Sequence, residues 1–461
     1  MRRIARRITF AGCLAMVYME FTGSTPLIEY SRRLGMTDFE FGILGAIAPA
    51  MLPFQFLSGL LLQRIRSRKR LWIPLVATCR FFPVPIALLP WLFPEAGNRA
   101  WIWGMLALIA AGEILANLGI PMWFSWMGDI IPRDIMSEFW ARRRRWLVLS
   151  QFSALVVVAA AFWLFQKLDV RVTYLILASI GAAAGVWDIL LFLKVPEPPM
   201  EVKPRMEPRL ILQPFKDPMF RRFIFFWSYW SFAATFSFVF FRLYMLETLR
   251  LSPDAVNLLY CCHALGGALF TEHFGILGDR VGNRPVMILC SLLKSWVVIA
   301  MLLARPGLAV LILVPSFLLD NMLNTGLFVS QNTYLLRQSP KANRPLYIAA
   351  VMATSGLCGA AGSFVSGQWL EVIGDRSWHF WGTDWNRFHV VFAISALLRI
   401  LSVFLAVRIR EPKSLPSEEV LTEIIGPAIY RRLSIPVDFV WRFFDHDNED
   451  DDRNDGNRRE G

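Results

Sequence analysis

Residues 275–285 read Gly275-Ile276-Leu277-Gly278-Asp279-Arg280-Val281-Gly282-Asn283-Arg284-Pro285, a basic, glycine-punctuated turn that closes one long apolar run and opens the next. A looser copy lies 216 residues earlier, as Gly59-Leu60-Leu61-Leu62-Gln63-Arg64-Ile65-Arg66-Ser67-Arg68. Gly275 and Gly282 permit close approach and a tight turn. Asp279 stands where an anion can cap a neighbouring helix N-terminus, whose free N–H groups attract negative charge. The bland alternative is a hairpin turn with solvated charges.

A second repeat is tighter. Glu113, Asn117 and Gly119 recur as Asp320, Asn324 and Gly326, each 207 residues further on. Each set is followed by a proline in a basic loop, Pro132 and Pro340, and the apolar runs before the midpoint and near residue 410 both end in Glu-Pro, at Glu197-Pro198 and Glu411-Pro412. Repeats at about half the chain length, in the same direction, imply two similar bundles.

Composition names the solvent. Of 461 residues, 55% are hydrophobic and 18% charged, and the mean hydropathy is +0.45. A soluble chain of this size needs more charge to cover its surface. Runs long enough to cross a bilayer core of about 30 Å lie near 9–29, 40–62, 71–93, 101–126, 146–165 and 172–195, then near 222–246, 252–277, 285–304, 307–333, 345–372 and 388–408. The expected fold is therefore an all-α polytopic membrane protein of twelve transmembrane helices in two pseudo-symmetric six-helix bundles. The expected divisions are a first bundle (1–195), a linker (196–221), a second bundle (222–410) and a tail (411–461) whose polar end has too little apolar content to fold alone.

The net charge of +12 concentrates in alternate loops, around Arg64 to Arg70, Arg142 to Arg145, Arg280 to Arg284 and Arg337 to Arg344. By the positive-inside rule these loops and both termini are expected to be cytoplasmic, in a multi-pass protein of the cell (inner) membrane. Such scattered charge argues against nucleic acid as a partner. Arg2, Arg3, Arg6 and Arg7 precede an apolar run without a small-residue cleavage pattern, which reads as an uncleaved first span. The six cysteines lie in apolar runs without ligand spacing and read as small buried hydrophobes, so no metal is expected.

The paired repeats resemble the major facilitator superfamily. Gly275 to Pro285 looks like its signature loop between spans eight and nine, carried here by Gly275, Asp279, Arg280, Gly282 and Arg284. The first copy departs from the pattern, with Gln63 for the usual Asp and Arg66 for the usual Gly. The resemblance covers roughly residues 8–410. It implies two halves rocking about a cavity lined mainly by spans 1, 4, 7 and 10.

Charges inside the membrane mark candidate sites, because each costs at least ~2.5–3.5 kcal/mol at the bilayer centre. Glu20, Arg80 and Glu113 lie in mid-span, as do His263, Lys294, Asp320 and Arg399. Each half places a base on its third span and an acid on its fourth, so Arg80 and Lys294 are expected as buried charge partners of Glu113 and Asp320. The sharper reading makes Glu20, Glu113, Asn117, Asp320, Asn321 and Asn324 a substrate or proton-coupling set, since residues four apart share a helix face. His263 reads first as a satisfied core histidine. Arg242, near a helix end, is left to snorkel. The aromatic run Phe225 to Phe232 reads as lipid-facing, with a stacking wall for a sugar or aromatic ligand as the alternative. Gly356, Gly359, Gly362 and Gly367 read as a helix-packing stripe.

The expected function is a secondary transporter moving a small polar organic solute by alternating access, with protons as a candidate coupling ion. No phosphate-binding loop supports an ATP-driven pump. No catalytic set, and so no enzyme, is indicated. No cofactor is called for, and the partners are the solute and the lipid bilayer, with the protein expected to be monomeric. A drug or metabolite efflux antiporter and a non-transporting membrane sensor on the same scaffold are the alternatives. Span 5 lacks the Gly-Pro-Gly-Gly cluster typical of the superfamily's drug antiporters.

Overall fold

The structure, a computed structural model, describes residues 2–62, 67–132, 136–199, 212–340, 344–380 and 383–411. Each predicted span coincides with one helix or one broken pair. The first half comprises α1 (Arg2–Thr22) with α2 (Ser24–Arg33), α3 (Asp38–Ala50) with α4 (Phe54–Leu62), α5 (Arg68–Phe81) with α6 (Pro83–Leu92), α7 (Gly97–Ile130), α8 (Met136–Leu164) and α9 (Val170–Leu191). After the short α10 (Gln213–Lys216), the second half comprises α11 (Pro218–Glu247), α12 (Pro253–Val281), α13 (Asn283–Leu293) with α14 (Ser295–Leu303), α15 (Ala309–Gln338), α16 (Arg344–Ile373) and α17 (Arg387–Val407).

Among the described residues, nine helices are long and apolar enough to cross a membrane, or ten when α5 and α6 count as one span bent by 41°. The other two predicted spans, α1–α2 and α12, are helical but more polar, and twelve spans are consistent with this arrangement. The all-α expectation misses one antiparallel hairpin, β1 (Trp378–Phe380) with β2 (Thr383–Trp385), just before α17.

The breaks have local causes. Pro83 lacks an N–H and starts α6 where α5 stops. The first span breaks at Gly23, where Ser24 takes a positive φ of 47°. The ninth span breaks at Lys294, which ends α13 and precedes α14.

The halves meet mainly through α3 with α16 and α8 with α12. Small residues bring α3 and α16 together. A Cβ on Gly42 would lie 2.7 Å from the Cα of Gly367, and the Ser363 hydroxyl donates to Gly42 O at 3.0 Å. Cβ atoms on Gly356 and Gly362 would collide with the backbone oxygens of Pro49 and Phe232, so these two glycines do allow close helix packing. At the same end, Arg387 bridges Asp38 of the first half at 2.7 Å and Glu247 and Asp375 of the second at 3.1 and 2.7 Å. The halves are thus pinned together at the end opposite the basic loops.

The aromatic run on the seventh span corrects its lipid-facing reading. Phe223, Phe226, Trp227 and Trp230 are core residues, and Phe225 is exposed.

Candidate functional site

In the second half, the mid-membrane charges converge. Asp320 on α15 lies 3.2 Å from His263 Nε2 on α12 and 3.4 Å from Lys294 Nζ at the α13–α14 break. Lys294 also donates to Asn324 Oδ1 at 2.7 Å. Asn321 donates to the His263 carbonyl at 2.8 Å. Behind them Arg399 on α17 is 2% exposed and, among the described residues, donates to neutral oxygens, those of Lys294, Ala234 and Ser237. His263 is therefore a partner of the acid, at 23% side-chain exposure, rather than a core histidine satisfied by backbone.

The first half is built differently, and one expected pairing fails. Arg80 bonds Asp188 on α9 at 3.4 Å, not Glu113, and its guanidinium lies 4.2 Å from the Tyr18 ring centre. Among the described residues nothing bonds to the Glu113 carboxylate; its backbone oxygen accepts from Asn117. Asn117 in turn accepts from Gln55 at 2.9 Å. The two halves invert their charges: span six carries the acid Asp188 where span twelve carries the base Arg399. Asp188 and Gln151 are site residues the sequence reading missed. Only their polarity inside apolar runs could have flagged them.

Glu20, at the end of α1, sits beside the Gly23 break. One carboxylate oxygen accepts from Ser24 and the other from Gln151, both at 2.8 Å. Tyr260 on α12 lies within electrostatic reach of Glu20, Asp320 and Arg242. The first span, which the resemblance placed along the cavity, thus faces the second half's charged cluster.

The repeated turn also has a structural counterpart. Glu197 accepts from Ser67 Oγ and Arg68 N, both at 2.6 Å, capping α5. Glu411 accepts from Asn283 Nδ2 at 2.9 Å and Arg284 N at 2.7 Å, capping α13. Gly282, with φ of 97°, turns the chain between α12 and α13. The side chains of Asp279 and Arg280, Gly275, and the first-copy residues Gly59, Gln63, Arg64 and Arg66 lie outside the described residues, as do residues 200–211 and 412–461.

Known proteins match this arrangement. The sequence model of the Major Facilitator Superfamily matches residues 232–444. The fold is similar to that of the nucleoside transporter NupG, at TM-score 0.65 and 15% identity over 88% of this chain and 98% of that one. It is similar to a bacterial homologue of the iron transporter ferroportin in an inward-facing state, at TM-score 0.64, 13% identity and 89% and 99% coverage. A D-xylose-proton symporter matches at TM-score 0.64, 14% identity and the same coverage. The chain has the major facilitator fold, and the superfamily's sequence model matches within its second half. Among curated proteins, none matches. Identities this low show the fold alone. In this fold the Lys294–Asp320–His263 cluster lies on spans nine, ten and eight, in the second half.

Proposed function

We propose that this protein is a secondary transporter that moves a small polar organic solute by alternating access, coupled to protons through Asp320. The observation that carries the reading is one acid, Asp320, bonded to both His263 and Lys294 in the middle of the membrane. Buried ion pairs are poor staples, because desolvation offsets most of their attraction. Groups that exchange protons need an arrangement of this kind, in which one charge can change partners. Proton arrival on the His263–Asp320 pair weakens the hold of Asp320 on Lys294, and that change is available to bias the two access states.

The contacts at Arg387 and the α3–α16 glycines support an arrangement closed on the side opposite the basic loops. With those loops cytoplasmic, the closed side is the outer one. The reading is tested by identifying a stabilising solute in a thermal-shift screen, then measuring its uptake into proteoliposomes with and without a pH gradient. Uptake driven by the gradient in wild type and lost in Asp320→Asn supports the proposal. Gradient-independent uptake in both defeats the coupling role.

A further inference from the structure

We infer that Arg242 and Tyr260 form the end of the solute site that binds a carboxylate, so that the transported class is organic carboxylates. This rests on the transporter reading.

The guanidinium carbon of Arg242 lies 3.7 Å from the centre of the Tyr260 ring. Among the described residues no carboxylate pairs with it, and its Nε is buried without a bond partner. The Tyr260 hydroxyl is likewise buried and unpartnered. The ring itself is held edge-on by Phe317, at 5.2 Å between centres, so the hydroxyl is not free to swing away. The helix α2 packs against both α11 and α12. No side chain caps its N-terminus, and the fully buried Thr25 Oγ1 has no partner.

Arg242 and Tyr260 therefore present donors without acceptors: a guanidinium and a phenol. An unpaired buried donor is destabilising, and an unpaired charge more so. Charge balance points the same way. Among the described residues, Asp320 is taken by His263 and Lys294 and leaves Arg242, near its helix end, without a counter-charge. A carboxylate on Arg242 and Tyr260 supplies both the missing acceptors and the missing negative charge. Glu20, within electrostatic reach of Tyr260, is placed to meet an amino group on the same solute.

The test uses the full-length protein in detergent, with butyrate, benzoate and leucine as probes against butyramide, benzamide and leucinamide. At least one carboxylate raises the unfolding temperature of wild type, and its amide does not. The response is lost, or weakened roughly tenfold or more in affinity, in Arg242→Gln and reduced in Tyr260→Phe. It survives in Arg305→Gln, an exposed control. Without solute, Arg242→Gln unfolds at the wild-type temperature or above, because an unpaired charge is removed. A response to leucine alone specifies a zwitterion, and a response to all three specifies any monocarboxylate. Equal responses to amides, an unchanged response in Arg242→Gln, no response to any carboxylate, or a solute-free Arg242→Gln that unfolds well below wild type overturns the site. Carboxylate binding without transport would leave the site standing and defeat the transporter reading instead.

Discussion

Glu197 Oε1 accepts a hydrogen bond from the backbone N–H of Arg68 at 2.6 Å, and the last acid of the other half repeats the contact, Glu411 Oε2 with the N–H of Arg284 at 2.7 Å. The Glu-Pro segments that follow spans six and twelve thus hold the first turns of spans three and nine. A carboxylate at a helix start satisfies free N–H groups and matches the positive end of the helix.

Replacing Glu197 with Gln should cost about 1 kcal/mol at neutral pH, with Glu411→Gln similar. Burial acts to raise the Glu197 carboxyl. The hydrogen bonds from Ser67, Lys69 N and Arg68 N, with the Arg68 charge, outweigh it and hold the group below its ordinary 4.5. Its stabilisation is therefore complete above 4.5 and fades as pH falls through the lower folded value. Thermal unfolding of wild type and Glu197→Gln should show a gap at pH 7 that narrows on acidification. A gap that widens in acid contradicts the cap.

Gly42→Val places a side chain where the Cα of Gly367 would be 2.7 Å from its Cβ. The backbone cannot yield without moving a helix. Thus α3 and α16 should separate, and a cysteine at Ser363, now 1% exposed, should become reactive to reagents from that side. Unchanged reactivity would mean that the contact does not close the path.

Arg387→Gln should lower the unfolding temperature more than Arg99→Gln. Arg387 is 21% exposed and serves three carboxylates, leaving a half-buried Asp38 unpaired when lost. Arg99 is 63% exposed, and its buried partner Glu40 keeps the Thr37 backbone N–H as a donor when Arg99 is lost. Equal effects would remove Arg387 as the link between halves.

Single cysteines in a cysteine-free background test orientation. Position 378 should be labelled from outside intact cells, while Arg70, exposed on the basic side, should not. Outside labelling at position 70 inverts the topology.

The helical frame was legible because a span is written in plain apolar length, and the repeat because Glu113, Asn117 and Gly119 have counterparts at one offset. The Glu-Pro endings were equally visible, but not what Glu197 and Glu411 touch. The Arg80–Glu113 pairing failed because symmetry was assumed for charge as well as for fold. Spans six and twelve differ, Asp188 against Arg399, and that difference redirects Arg80. Arg242 was misplaced because depth along a helix says nothing of which neighbour it faces. Only packing against α12 sets it on Tyr260.

The central claim is that Asp320 carries the coupling proton rather than merely stapling Lys294. The most direct measurement is gradient-driven uptake in proteoliposomes for Asp320→Asn, Lys294→Gln and the double variant, with folding checked by thermal unfolding. The prediction is that Asp320→Asn and the double variant remain folded but lose coupled uptake. Full coupled uptake in the double variant would contradict it, leaving the pair as a structural tie.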